Sequence, residues 1–224
     1  MTPVFRFAAR SEVGLVRSDN QDSGYAGQRL LVVADGMGGH AAGDVASSAT
    51  VTALAPLDAG PAAADPIDAL RAQLGAANAR LREIVTARPE LEGMGTTVTA
   101  LLCSGSRLAL AHVGDSRCYL LRGGTLTRLT RDDTYVQTLV DAGQITAEEA
   151  AHHPQRSVLT QALDGRNLVV PHLSVRDAQV GDRYLLCSDG LSSVVTDETI
   201  GTSLAGAGDP QEAVDRLVGL ALRA

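Results

Sequence analysis

The sequence predicts an α+β layered sandwich, a single domain of antiparallel sheets covered by helices. Between residues 96 and 129, strand-like runs are separated only by Ser104-Gly105-Ser106 and Gly123-Gly124. Such breaks are too short for crossover helices, so the neighbouring strands run antiparallel. Segments with helical spacing lie on both sides of this block and supply covering layers. No repeat or low-complexity linker divides the 224 residues, and a chain of this size buries roughly 70 to 75% of its extended surface in one core.

The elements follow in order. Leu30 to Ala34 is an apolar run closed by Asp35-Gly36, which reads as a buried strand ending in a loop. Gly43-Asp44 opens a helical segment to about Leu57, with Asp44 as its cap. Asp65-Pro66 sets a capping carboxylate before a first-turn proline, and Ile67, Leu70, Leu74, Ala77, Leu81 and Ile84 follow at helical spacing. Strands are expected over Thr96 to Cys103, Arg107 to Val113, Arg117 to Leu121 and Thr125 to Leu129. A helix covers Thr134 to Asp141, and Thr146-Ala147-Glu148-Glu149 matches a capping box. Strands resume near Asn167 to Val175 and Arg183 to Ser188. Helices near Asp197 to Leu204 and from Asp209-Pro210 onward close the chain.

Composition narrows the function. Apolar residues are 45% and charged ones 20%, as in ordinary globular proteins. With two Phe, four Tyr and no Trp the core is aliphatic, and the exposed rings of a single-strand nucleic-acid platform are missing. The net charge of -7 repels a phosphate backbone, and the basic residues, all Arg, are scattered, so nucleic acid is not an expected partner. Cys103, Cys118 and Cys187 lie apart in apolar stretches, which fits buried free thiols in a reducing compartment. Neither a signal peptide nor a membrane-length apolar run is present. The segment is therefore expected to be soluble and cytoplasmic, without membrane contact of its own; a membrane tether beyond Ala224 is compatible with this.

Three times an apolar run delivers an aspartate next to a glycine: Leu30 to Ala34 before Asp35-Gly36, Leu108 to Val113 before Gly114-Asp115, and Tyr184 to Ser188 before Asp189-Gly190. Asp-Gly alone is an ordinary turn dipeptide. Ionised carboxylates at the ends of buried strands are costly unless paired or metal-bound, and their recurrence suggests convergence on a cation. Oxygen ligands without zinc-spaced His or Cys favour magnesium or manganese. In the segment Gly14 to Asp22, Arg17 precedes polar and acidic residues. Its fork suits a phosphate, and it equally suits a surface pair with Asp19 or Asp22.

Taken together, Asp35-Gly36-Met37-Gly38-Gly39-His40, Gly93-Met94-Gly95-Thr96-Thr97, Val113-Gly114-Asp115-Ser116-Arg117, Asp132-Asp133, His153-Pro154-Gln155-Arg156-Ser157 and Cys187-Ser188-Asp189-Gly190 resemble, in order and over nearly the whole chain, the metal-dependent serine/threonine protein phosphatases of type 2C, especially the bacterial branch. The resemblance implies a four-layer α-β-β-α sandwich of two antiparallel sheets flanked by helices. It implies hydrolysis of phosphoserine and phosphothreonine in proteins by a metal-activated water, with two or three Mn2+ or Mg2+ ions. Asp35 would bridge two ions, the Gly36 carbonyl would complete one sphere, and Asp189 would hold the second. Asp115, with Asp189 and the backbone of Ser157, would hold a third. Arg17 would bind the phosphate; Asp22, beside Gln21, would orient water. Residues 132–161 would form a mobile flap. Expected partners are phosphorylated proteins, including a Ser/Thr kinase, and the chain is expected to act as a monomer.

Some features depart from the family pattern. The chain stops at Ala224 before the family's terminal Asp-Asn pair and last strand, so residues 1–224 are expected to be a C-terminally incomplete catalytic domain. Gln21 stands where many relatives have Glu, and Met37 where eukaryotic members often place a His general acid; a metal-bound water or His40 would then protonate the leaving oxygen, unless His40 instead caps the helix after it. His152, His153 and His172 are expected in surface or packing roles. The rival function is a catalytically weak or inactive module that keeps the fold and binds phosphoproteins; a phosphodiesterase ranks third because no extra basic surface is evident.

Overall fold

The structure, a computed structural model, describes residues 5–15, 18–39, 42–60 and 65–224. In chain order the elements are β1 (Asp22–Ala26), β2 (Leu30–Met37), α1 (Ala42–Leu54), α2 (Pro56–Ala59), α3 (Pro66–Ala87), β3 (Gly95–Thr96), β4 (Val98–Ser104), β5 (Arg107–Val113), β6 (Arg117–Arg122), β7 (Thr125–Arg128), α4 (Tyr135–Asp141), α5 (Ala147–Ala151), β8 (His172–Asp177), β9 (Arg183–Cys187), α6 (Asp189–Ser192), α7 (Asp197–Gly206) and α8 (Pro210–Ala221). The strands form two sheets. One has the order β1-β2-β4-β5-β8, with β3 also paired to β2; the other has the order β7-β6-β9. Every pair is antiparallel, including the hairpins β4-β5 and β6-β7 expected from their short breaks.

The four layers follow from alternation along the strands. Val98, Ala100, Leu102, Ala109, Ala111 and Val113 join Ala46, Leu54, Leu70, Leu74 and Leu81 of α1 and α3 in one core. The alternate residues Leu101, Cys103, Leu108 and Leu110 meet Cys118, Tyr184 and Leu186 of the second sheet. On the far face of that sheet, Tyr119, Leu121, Leu185 and Cys187 pack with Ile200, Leu204 and Leu217 of α7 and α8. Burying each large aliphatic side chain is worth about 1.5 to 3 kcal/mol, so β4 and β5, apolar on both faces, anchor the fold.

The caps act as their residue types predict. Asp65 accepts from the main chain of Ile67 and Asp68, Thr146 and Glu149 form a reciprocal capping box, and Asp209 accepts from Glu212. Other boundaries differ from the sequence reading. Helix α1 ends at Leu54, because Pro56 has no N–H to continue the ladder and restarts the chain as α2. Asp44 lies inside the first turn of α1. The strand expected near Asn167 to Val175 begins only at His172, opposite His112; Pro171 has no ladder donor, and Leu168 and Val170 are exposed. Strand β1 is built from Asp22-Ser23-Gly24-Tyr25-Ala26, which has no apolar alternation of its own and is held by pairing with β2.

Two crossings place the site. Gly114-Asp115-Ser116 carries the chain from β5 in the first sheet to β6 in the second. Gly114 has φ +102°, and a Cβ there would come within 2.6 Å of the Thr97 side chain, so the link needs glycine. Directly after β9, Ser188 meets the first sheet through Asp22 of β1. No described helix is long and apolar enough to cross a membrane, and Cys103, Cys118 and Cys187 are free and buried as expected.

Candidate active site

Asp35 lies near the end of β2 and directly opposite Asp22 in the β1-β2 register. Facing carboxylates repel, and two more join them. Burial, and then the carboxylates of Asp22, Asp189 and Asp115, push the Asp35 carboxyl up to about 9; Asp35 also shares a hydrogen bond with Asp189. Burial first, then Asp189 and Asp132, push Asp115 up to about 7, against the opposing pull of its own main-chain N–H and of Arg117. Acidic groups from both sheets and from the link between them thus meet at one end of the sandwich.

The surrounding framework holds them in place. At Asp35 the β2 ladder is completed by a side chain: the Asp35 N–H donates to Thr97 Oγ1 at 3.0 Å, while the Thr97 N–H donates to the Asp35 carbonyl at 2.9 Å. Thr97 Oγ1 lies 2.8 Å from Ser116 Oγ, which connects β2 to the 114–116 link. Ser188 Oγ donates to Asp22 Oδ2 at 2.6 Å, joining residues 166 positions apart and tying the second sheet to the first. A Cβ at Gly36 would run into the Gly43 carbonyl, so only glycine lets β2 turn against the start of α1 there. Gln21 fills this corner: its carbonyl accepts from Gly36 N–H at 3.1 Å and from Ser47 Oγ at 2.7 Å.

Sequence reasoning missed a second framework around Asp133. Its carboxylate accepts from Gly114 N–H at 2.9 Å and from Gln161 Nε2 at 3.3 Å, and lies 2.8 Å from His172 Nε2. Its N–H donates to the Gly114 carbonyl at 2.7 Å, and its carbonyl accepts from Thr160 N–H at 2.8 Å. Both ends of the segment 132–161 are therefore bonded beside Asp115. Asp132 binds Arg117 through both oxygens, at 2.8 to 3.2 Å. The Asp132-Asp133 pair was a visible signal in the sequence, but its partners, 15 to 39 residues away, were not.

The remaining expected residues fall as follows. Arg17 and His40 lie outside the described residues. Ser157 is exposed on a turn, and among the described residues no hydrogen bond links it to the carboxylates. His153 Nδ1 accepts from Gln155 N–H within its own turn, and His152 ends α5. His172 is exposed at the surface, with its Nε2 against Asp133 and its ring 6.0 Å from that of His112.

The donor set suits a hard cation. All its groups are oxygens, and a carboxyl pushed up to about 9 by burial and then by neighbouring carboxylates is one that a nearby positive charge would stabilise. Among the described residues no three His, Cys, Asp or Glu side chains close tightly enough to enclose an ion by themselves. Magnesium-like ions do not require such a cage, because they retain several waters and need only one or two carboxylates.

The comparisons with known proteins agree with this geometry. The protein phosphatase 2C family model matches residues 8–218. The serine/threonine protein phosphatase PstP of Mycobacterium tuberculosis is 56% identical over 223 residues; the match covers 100% of this chain and 43% of that protein, so the chain spans less than half of its relative's length. The crystal structure of the M. tuberculosis serine/threonine phosphatase PstP/Ppp superposes with a TM-score of 0.95 at 56% identity, covering 99% of this chain and 93% of that one. A structure of the PstP catalytic domain in complex with two manganese ions superposes with a TM-score of 0.93 at 54% identity, covering 98% and 92%. With its sandwich, its ordered motifs and these relatives, the chain belongs to the protein phosphatase 2C family.

Proposed function

We propose that this chain hydrolyses phosphoserine and phosphothreonine monoesters of proteins, with water as the attacking group and two or three manganese or magnesium ions at the aspartate cluster. The carrying observation is the convergence of Asp35, Asp189 and Asp115 from two sheets, with Asp35 pushed up to about 9 first by burial and then by the neighbouring carboxylates. The serine/threonine phosphatase relatives and the one solved with two manganese ions support the reading.

Phosphate-monoester hydrolysis needs enhancements up to ~10²¹, while a single general acid or base contributes about 10² to 10⁴. When bound, divalent cations supply the rest as Lewis acids, lowering the pKa of water and offsetting charge on the phosphoryl group. Asp35 sits centrally and would contribute to two ion positions, with the Gly36 carbonyl and Asp189 completing them. Asp115, with Asp189 and the Ser157 backbone, would serve a third. Asp22, whose carboxylate accepts from Ser188 Oγ, would accept a hydrogen bond from the attacking water. Gln21 shapes the same corner through its main chain. Arg17 is assigned to the substrate phosphate on the family motif. Residues 132–161 are assigned as the flap, rooted at Asp133 and Gln161. Phosphoproteins, including a Ser/Thr kinase, are the proposed partners of a monomeric enzyme, and three buried free thiols suit the cytoplasm.

The test is hydrolysis of p-nitrophenyl phosphate and of a phosphothreonine peptide by residues 1–224. Turnover is expected with Mn2+ or Mg2+ and not with EDTA. Asp189→Asn is expected to weaken metal activation by at least about 10-fold, the lower end of the effect of losing a mere hydrogen-bonding partner of a ligand. Full turnover in EDTA would overturn the mechanism. Binding of the phosphopeptide without turnover in any metal would favour a phosphoprotein-binding module.

A further inference from the structure

A groove of about 380 Å³ is lined by Met37 and Gly95 together with Leu159, Gln161, Arg166 and Leu168, and reaches within two residues of Asp35 along β2. It is continuous with the site through the main chain. Met37 is two residues past Asp35, so their Cα atoms are within about 7 Å. Gly95 pairs with Met37, and the adjoining Thr96 donates its hydroxyl to the Asp35 carbonyl at 3.0 Å.

One strongly exposed apolar side chain stands in this lining, and two more lie close to lining residues along the chain or through hydrogen bonds. Leu168 is 92% exposed and lines the groove, Val158 precedes the lining residue Leu159, and Val170 is held against the lining residue Gln161 by two hydrogen bonds of 3.1 Å. Single exposed apolar residues are unremarkable, but Leu168 shares the lining of this depression with Met37 and Leu159, so an apolar contact is offered among polar lining groups such as Thr160, Gln161 and Asn167, near the aspartate cluster. The charges nearby are already engaged. Asp164 accepts from the main chain of Arg166 and Asn167, and Arg166 pairs with Glu92 at 3.1 Å. No unpaired cation is therefore left among these groups to attract acidic residues.

We propose that this groove receives the polypeptide immediately flanking the phosphorylated residue, and that it selects substrates with an aliphatic side chain at that position over those with an acidic one. The inference rests on the phosphoprotein phosphatase reading and specifies the substrate class of the same site. A phosphoresidue at the aspartate cluster brings its neighbours to Met37 and Gly95, where Leu168 and Leu159 offer apolar area and the balance of Asp164, Glu92 and Arg166 disfavours further negative charge.

The experiment compares phosphothreonine peptides flanked by Leu or by Asp with p-nitrophenyl phosphate, which is too small to span the groove. Leu168→Asp, at a solvent-exposed position, tests the surface without disturbing the core. The control is Val180→Asp, also fully exposed, in the loop after β8 at the opposite end of the sheet from His172. The ratio of kcat/KM for the Leu-flanked peptide to that for p-nitrophenyl phosphate is expected to fall about 10-fold in Leu168→Asp, the factor carried by roughly one well-buried side-chain contact. It should stay unchanged in Val180→Asp. Equal ratios for Leu168→Asp and the parent, or a parent preference for the Asp-flanked peptide, would overturn the groove. Fluorescence anisotropy with the labelled Leu-flanked peptide separates the two ideas. If the parent fails to turn over p-nitrophenyl phosphate with Mn2+, the enzymatic reading falls, while weaker peptide binding by Leu168→Asp alone still supports the groove and equal binding refutes it.

Discussion

Replacing Asp35 by asparagine should raise the stability of the metal-free protein while abolishing activity. The Asp35 carboxyl is pushed from its usual 3.8 to about 9, first by burial and then by Asp22, Asp189 and Asp115. The unfolded chain releases this proton from about pH 4 upward, whereas the folded, metal-free protein keeps it until about pH 9. The unfolded state therefore binds fewer protons across this window, and stability falls as pH rises through it. At pH 7.5 the span is about 3.7 pH units, which at 1.36 kcal/mol per unit sets a ceiling of about 5 kcal/mol. Shared interactions among four carboxylates reduce the part belonging to Asp35, so about 2 to 5 kcal/mol is expected. An asparagine amide keeps the shape of the protonated carboxyl, donates to Asp189 and carries no charge to release. For a chain of this length each kcal/mol shifts the melting temperature by roughly 2 to 4 °C, so Asp35→Asn should melt about 4 to 20 °C higher in EDTA at pH 7.5. Circular dichroism melts at pH 4, 6 and 7.5 would show the gap opening with pH. Saturating Mn2+ should close or reverse it by stabilising the parent alone. A variant no more stable than the parent in EDTA at pH 7.5, or a gap that does not grow with pH, would refute the reasoning.

Other outcomes follow from the same structure. Asp132→Ala strands the Arg117 guanidinium, whose side chain is only 22% exposed, and should cost about 3 to 5 kcal/mol in denaturant unfolding. The joint replacement Arg117→Met, Asp132→Leu should recover most of that loss, and a cost below about 1 kcal/mol for the single change would show the pair to be idle. Gly36→Ala drives a methyl into the Gly43 carbonyl and should cost about 1 to 3 kcal/mol while weakening Mn2+ binding by calorimetry, since the Gly36 carbonyl must move; unchanged Mn2+ affinity would remove that carbonyl from the site. Burial pushes the thiols of Cys118 and Cys187 up to about 12, so neither should react with a disulfide reagent at pH 8 until the protein unfolds, and labelling of either within the mixing time would contradict their burial.

What could be read before folding was what local pattern encodes. Apolar runs and the short breaks between them made β4, β5, β6 and β7 legible, and the proline and carboxylate at 65–66 and 209–210 marked the starts of α3 and α8. The repeated aspartate-glycine ending singled out Asp35, Asp115 and Asp189 because a charged group after an apolar run is costly wherever the fold puts it. Strand β1 was not legible, since Asp-Ser-Gly-Tyr-Ala has no pattern apart from its partner. Nor were the contacts that hold the site: Thr97 completing a ladder with its hydroxyl, Ser188 reaching Asp22, and Asp133 gathering Gly114, Gln161 and His172. Each depends on residues brought together from distant parts of the chain, where spacing carries no signal. The run 167–171 misled because apolar side chains such as Leu168 and Val170 look alike in a strand and at an open rim.

Because the carboxylates are drawn from both layers of the sandwich, the aperture between them is a dimension of the interlayer packing. Leu101, Leu108 and Leu110 on one side and Tyr184 and Leu186 on the other act as the spacer that sets how far Asp189 stands from Asp35. Trimming or enlarging that spacer far from the reaction centre changes the width of the jaw, so affinity for an ion becomes a gauge of how two sheets rest on each other.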